Sequence, residues 1–574
     1  MINARDRQTG YLFDPWDHIG PKRRKLLDES WAGLFKKEIL CELPVEKMAP
    51  FYTAFFGRPT KEMYTVMGVI IIQQMKDLSD DETVYQLAFN IQWHYALDIP
   101  GESDQAKYIC LKTLWNERKI FTDNNLDTIV FNKITDKLAK VFSVDTTKQR
   151  IDSVHIKSNM RHLGRIGIFT RGIHKFLVNL KRQQKEQFKT LPKDIVDNYL
   201  SKNALGCFSM VKPSESKKTL DSVSKDLFEL VRRFSYQLDV TAMSSYKLLL
   251  RILKEQCEVT DSSDSKPIEV SVKPSKDVSS NSLQNPSDTD AGYSAHKGQG
   301  YQVQVMETYS TQEDEEIKSQ QLNLITHVEV EPACEHDSNA LIPAIESTQE
   351  RGLAPEEVLA DSLYGSDENC ETAKTKGVEV VSPAMGAPKK QSIDLDDFEH
   401  SEQGKVISCP QGHAPVKVTK SKKGRYSVAF NSDHCAKCPL INDCPVKPGK
   451  KYHYLRYTDK TLRIAKRRKS EQTAKFKERY RWRAGSEATM SEYDTRTGVK
   501  QLRVRRFKAV RFCATLKALG VNIFRATAVR KAVNTLNNGF EKETSALKHA
   551  IFVFKEQIRE TLALLKNISS KFAL

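Results

Sequence analysis

The chain has 574 residues, 39% hydrophobic and 9% aromatic, a length and composition that call for more than one folded core. Its net charge of +17 is concentrated, since residues 461–530 hold 20 Lys and Arg against 5 Asp and Glu; such a block reads as the footprint of a polyanion partner. Met1–Gly20 is too polar for a secretory signal, the apolar run Val66–Ile72 is too short to cross a bilayer, and 11 cysteines in so long a chain do not make a disulfide framework. A reduced, cytoplasmic protein without membrane contact is expected.

Residues 1–145 read as helix. Leu43–Phe56, Lys61–Met75 and Asp81–Leu97 carry apolar residues at helical spacing, broken by Gly57, Pro59 and Pro100, with Trp93 and Tyr95 as core. The pattern then changes: residues 150–156 (RIDSVHI) alternate and are β-branched, which predicts a strand. Residues 165–257 return to helix, with apolar stripes at Phe176–Leu180 and Leu248–Leu253, and 258–289 is a polar linker.

From 291 to 383 strands and helices take turns. Gly300–Tyr309 and Leu322–Val330 are strands, and Asp337–Gln349 is a helix capped near Asp337 or Ser338. Glu357–Asp361 is a short strand, Ser366–Lys376 a helix and Val378–Ser382 another strand. Residues 387–455 lose this rhythm. A long basic helix over 461–530, interrupted at Gly485 and Gly498, and an amphipathic helix over 540–567 complete the chain. With 165–257 set aside as an insertion, the class is α/β, a mixed sheet with flanking helices.

Cleavage of a phosphodiester is helped by two divalent ions, one at the attacking and one at the leaving oxygen, and hard cations of this kind take oxygen ligands. Carboxylates at the ends of neighbouring strands, with a third from a helix, are therefore the pattern to seek. Asp152 lies on the first strand of the mixed region and Asp361 ends the segment EVLAD, in comparable positions. Ser153 and His155 alternate to the opposite face, so Asp152-Ser-Val-His is no hydrolase constellation. Asp288 and Asp290 read as turn residues, and His296 and Lys297 as candidate DNA contacts.

These two acids, the sheet order and the spacing Tyr480-x2-Arg483-x3-Glu487 together resemble the DDE transposases of bacterial insertion sequences. RIDSVHIKSNMRHLGR (150–165), DAGYSAHKGQGYQVQVMETY (290–309), ADSLYGS (360–366) and EATMSEYDTRTG (487–498) are similar to the subgroup with a tyrosine–arginine–glutamate signature and a helical insertion after the first Asp. The likeness extends into GRPTKEMYTVMGVIIIQQM (57–75).

The resemblance implies an RNase H-like catalytic domain assembled from 146–164, 290–386 and 456–535. Around it would lie a helical N-terminal domain (1–145) that binds DNA ends, a helical insertion with linker (165–289), a cysteine-rich insertion (387–455) and a C-terminal helix (536–574). It implies that Asp152, Asp361 and Glu487 hold two Mg2+ or Mn2+ ions. Tyr480 and Arg483 would meet DNA phosphates, and the basic helices, with Arg503, Arg505 and Arg506, would follow the double-stranded DNA backbone. The lysine that usually lies seven residues after the glutamate is Asp494 here, so Arg496 or Lys500 takes over its contact, and Glu492 is the alternative third acid.

The expected activity is cleavage at the terminal inverted repeats followed by strand transfer into target DNA, by a homodimer that pairs two ends. An RNase H-like endonuclease without strand transfer, or an inactive DNA-binding descendant of a transposase, are the rivals.

Cys409, Cys435, Cys438 and Cys444 cluster within 387–455, and the x2 spacing of Cys435 and Cys438 suits a structural Zn2+, with His413 and His434 as alternative ligands. Few apolar residues lie between them, so a metal would replace a missing core.

Overall fold

The computed structural model describes residues 2–7, 11–53, 56–200, 211–260, 269–386 and 393–571. Helix α1 (Met63–Met75) is apolar all round and buried on every side, as such a helix must be. The Glu62 carboxylate caps it by accepting the Tyr64 and Thr65 N–H groups. Predicted Leu43–Phe56 yields only the short helix Val45–Met48 and a 3-10 turn, and helix α2 (Leu126–Val141) closes the N-terminal region.

The centre is a mixed sheet. Strand β1 (Lys148–Ile156) is followed, after the helical insertion, by β2 (Gly292–Ser294) and β3 (Gly298–Thr308). Next come β4 (Ile325–Pro332), β5 (Glu357–Leu359) and β6 (Glu379–Val381). The strands lie in the order β4-β3-β1-β5-β6, with β2 folded back on the start of β3. β3 runs antiparallel to β1 (Asp152 opposite Val305) and to β4, whereas β5 runs parallel to β1 (Arg150 opposite Leu359) and β6 parallel to β5.

The insertion packs α3 (Arg165–Gln183), α4 (Ser216–Phe234) and α5 (Ser244–Gln256) around its own core of Phe176, Leu227, Phe234 and Leu249. The stretch expected as linker contributes to the fold: Cys257–Thr260 pairs with Glu269–Val272, and Asp288 is wholly buried. Residues 261–268 of that linker, and 387–392 of the cysteine segment, lie outside the described residues. Helices α6 (Leu341–Glu350) and α7 (Asp367–Thr375) cover one sheet face over Ile151, Met306 and Val358. The N-terminal helices keep no separate core, because Ile70, Leu138, Val154, Tyr301 and Phe512 belong to one cluster.

The cysteine segment does have a core, contrary to expectation. Strands β7 (Lys417–Lys420), β8 (Arg425–Asn431) and β9 (Tyr452–Thr458) form an antiparallel sheet over Tyr426, Val428, Phe430, Leu455 and Tyr457. Short strands separated by Lys- and Gly-rich turns hid this alternation in the sequence.

The basic stretch is broken into α8 (Asp459–Ser470), α9 (Ala474–Tyr480), α10 (Gly485–Thr497) and α11 (Phe507–Lys571). A 3-10 turn, Arg481–Ala484, precedes Gly485, and Gly498 ends α10 with φ +63°, the left-handed cap that glycine allows. The predicted 540–567 helix is the continuation of α11. Phe507–Leu536 is long and apolar enough to cross a membrane, but 78% of its most apolar window is buried inside the protein, as befits a core helix.

Candidate active site

The parallel register of β1 and β5 sets the first two acids side by side. Arg150 faces Leu359, so two further residues along each chain bring Asp361 level with Asp152. The strand stops at Leu359, and Asp361 therefore sits two residues past its end, accepting the Leu363 N–H at 2.7 Å. Burial pushes the Asp361 carboxyl above the usual carboxylate range, and the Asp152 charge adds to this, while the Leu363 N–H and Arg483 oppose it.

The third acid arrives with α10. Arg483 donates to Asp152 Oδ2 at 3.0 Å, Ser486 Oγ donates to the same oxygen at 2.9 Å, and Arg483 Nη1 stands 4.0 Å from Glu487 Oε1. One guanidinium thus faces Asp152 and Glu487 and acts electrostatically on Asp361. The Asp152 side chain is 15% exposed and that of Glu487 77%, so Glu487 stands at the open lip. Glu492 turns elsewhere, pairing with Arg496 and with Arg525, each at 2.8 Å. Gly485 permits the approach of α10 to β1, because a Cβ there would collide with the Arg150 guanidinium.

Beneath this site lies an ionic network that sequence reading missed. Glu307 on β3, with its side chain 2% exposed, accepts from Arg150 Nε (2.7 Å), Arg525 Nη1 (2.8 Å) and Thr489 Oγ1 (2.7 Å). Arg150 also donates to the Trp482 carbonyl at 2.8 Å. Burial alone would raise the Glu307 carboxyl, but Arg525 and Arg150 outweigh it and hold the group below its usual value. The available signal was a single glutamate inside a strand with no other charged residue, since a buried charge needs a partner.

Other residues take unexpected places. Asp337 does not cap a helix; its carboxylate accepts from Gln304 Nε2 at 3.0 Å, and the cap of that 3-10 turn is His336. Asp288 accepts from Tyr301 (2.5 Å), Ser158 (2.6 Å) and the Arg506 N–H (3.1 Å), and Asp290 from the Phe507 N–H (3.1 Å), so both fasten the start of α11. His296 is exposed, and Lys297 donates to Ser153 Oγ at 3.3 Å.

Several residues expected to meet DNA phosphates have partners within the chain. Tyr480 ends α9 and stacks on Phe476 at 5.4 Å, and the 3-10 turn Arg481–Ala484 separates it from the helix carrying Glu487. Arg496 pairs with Glu492 and lies over the Phe524 ring, Lys500 is 3.7 Å from Asp494, and Arg503 is 3.2 Å from Asp77. Arg505 and Arg506 are exposed.

Much of the basic block is neutralised within the chain. Arg463 pairs with Asp367, Arg479 with Glu357 and Glu379, Arg481 with Glu313, Arg511 with Asp127 and Lys517 with Asp77. These acids come from distant segments, which is why the local excess overstated the charge offered to a partner.

Among the described residues no three His, Cys, Asp or Glu side chains converge closely enough to form a ready set of metal ligands. The chemistry of Asp152, Asp361 and Glu487 nevertheless fits a hard divalent cation. They are oxygen donors only, the first two repel one another, and Arg483 supplies the positive charge between them. Cys409, Cys435, Cys438 and Cys444 are free thiols lining one cavity of about 30 Å³ with His413 and His434.

Residues 408–527 match the family model described as the transposase DDE domain. The matched stretch contains Glu487 and the cysteines but neither Asp152 nor Asp361, and it supports a DDE-type transposase. No curated protein matches the chain.

Proposed function

We propose that this chain is the transposase of an insertion sequence, cutting element ends and joining them to target DNA. The observation that carries the reading is the placement of Asp152 and Glu487 on Arg483, with Asp361 level with Asp152, in a chain whose residues 408–527 match a transposase DDE domain. The sheet order β4-β3-β1-β5-β6, with only β3 and its hairpin partners antiparallel to their neighbours, supports an RNase H-like catalytic domain. The helical insertion between β1 and β2, which has a core of its own, is consistent with the subgroup inferred from the sequence.

Asp152, Asp361 and Glu487 are the residues that would hold Mg2+ or Mn2+. Such ions, when bound, neutralise charge at the attacking and leaving oxygens of a phosphodiester. Arg483 contributes a fixed positive charge beside Asp152, and Ser486 holds the Asp152 carboxylate in one orientation. Glu307, Arg150 and Thr489 fix α10 against β1 and β3 and so set the position of Glu487. In the reaction, water displaces one strand of the phosphodiester and frees a 3′ hydroxyl. That hydroxyl then attacks a target phosphodiester, so a P–O bond forms as another breaks and no protein–DNA bond is made. Exposed Arg505 and Arg506 at the start of α11 are the candidate backbone contacts, and a homodimer would pair the two ends.

The test mixes full-length protein, labelled element ends and Mg2+ or Mn2+, beside an Asp152→Ala control. Metal-dependent nicking, and joining of a pre-cut end to target DNA, are expected from the parent alone. Nicking without joining would leave a nuclease, and DNA binding without either would leave an inactive descendant.

A further inference from the structure

The four clustered cysteines have no part in the proposed phosphodiester chemistry, and they are not needed for a core, since the sheet β7-β8-β9 has one. The loop between β8 and β9 meets that core only through partly buried side chains, Cys435 and Cys444 among them. No residue from 432 to 445 is buried, and its regular structure is the short helix Ser432–Ala436. Cys435, Cys438 and Cys444 are half-buried residues of that loop, and all three face the same cavity. Cys409 reaches it from outside the loop, just beyond the strand Val406–Ser408.

The backbone folds tightly at each point. Cys409 N–H donates to the His413 carbonyl at 3.0 Å, and Gly412 N–H returns to the Cys409 carbonyl at 2.7 Å with φ +79° at the glycine. Cys438 N–H donates to the Cys435 carbonyl and Ile441 N–H to the Cys438 carbonyl, both at 3.2 Å. A cavity of about 30 Å³ has room for one ion and not for an organic cofactor. His413 and His434 stack on each other at 4.5 Å beside the thiols.

We propose that Cys409, Cys435, Cys438 and Cys444 bind one structural Zn2+ that clips the 432–445 loop to the end of the Val406–Ser408 strand. Four soft thiolate donors select zinc over the hard ions suited to Asp152 and Asp361. Binding releases the four thiol protons and brings the sulfurs to about 2.3 Å from the ion. The four cysteines line one cavity without already forming a ready ligand set, so binding calls for their side chains to turn inward. The clipped loop carries Lys437, and the adjoining turn Lys447, Lys450 and Lys451, so the ion would also set the course of a basic edge. A closed four-thiolate site has no open position and performs no catalysis.

The test uses the full-length chain without DNA. Protein purified without added metal is assayed by mass spectrometry for zinc, then stripped and titrated with Co2+, whose thiolate charge-transfer absorbance reports sulfur ligands. About one zinc per chain and a band saturating near one equivalent are expected. The band should vanish in Cys438→Ser, and persist in Cys370→Ser and in Asp152→Ala. Absence of the band in the parent chain overturns the proposal whatever the variants do, and so does its survival in Cys438→Ser. Iron in place of zinc overturns the metal assignment. Because DNA cleavage is not read, failure here leaves the transposase reading untouched, and the reverse holds too.

Discussion

Replacing Glu307 by Gln keeps the side chain's shape and removes the one carboxylate that Arg150 and Arg525 share. Its side chain is 2% exposed, and those of Arg150 and Arg525 are 9% and 14% exposed, so neither cation can turn to water for compensation. Removing one partner of a buried pair costs about 3–5 kcal/mol. Arg525 retains Glu492 and Arg150 retains the Trp482 carbonyl, which favours the lower end, about 3 kcal/mol. The assay is denaturant unfolding followed by tryptophan fluorescence, with Trp482 as a reporter beside the network.

The double variant Glu307→Gln/Arg150→Met should recover part of the loss, because it also removes the stranded cation. The pH dependence has a definite sign. Glu307 is held below its usual value in the folded chain, so its contribution is full above the unfolded value near 4.5 and fades as pH falls through the folded one. The gap between parent and Glu307→Gln should therefore narrow in acid. A Glu307→Gln chain within about 0.5 kcal/mol of the parent at neutral pH, or a double variant weaker than the single, would refute the reasoning.

Three further outcomes rest on the same geometry. Glu487→Gln should abolish metal-dependent cutting while leaving the melting temperature unchanged, because the side chain is exposed; Glu492→Gln should lower stability by about 1–2 kcal/mol by weakening the Arg525 contact and leave the metal requirement in place. Asp361→Asn should lose cleavage without losing thermal stability, since burial and Asp152 already disfavour its charge; a large fall in melting temperature would contradict this. Mn2+ binding measured by calorimetry should weaken with falling pH above the range of an ordinary aspartate. In Arg483→Gln that limb should move higher, because Arg483 opposes the rise at Asp361; an unmoved profile would dissociate the two groups.

The pairing of Asp152 with Asp361 was legible in the sequence. Asp152 lies on an alternating β-branched segment and Asp361 just past the short apolar run Val358–Ala360, and alternation alone separates Asp152 from Ser153 and His155. The spacing of Tyr480, Arg483 and Glu487 was visible too, but not that the 3-10 turn Arg481–Ala484 would part Tyr480 from the helix carrying Glu487. The cysteine cluster was visible as spacing, but the sheet beside it was not, because its short strands are separated by turns rich in lysine and glycine.

What only tertiary structure decided is where each charge ends. Periodicity gives a residue's angle about its own helix axis and nothing of how that axis is turned toward the sheet. Glu487 and Glu492 were therefore separable in principle and distinguished only once α10 lay across β1, with one acid toward Asp152 and the other toward Arg525. Likewise a run of arginines states a local charge, whereas the acids that neutralise it, Glu307, Asp367 and Asp127, lie hundreds or scores of residues away and meet it only through the fold. Electrostatic pairing depends on distance in space, and chain separation does not encode that distance.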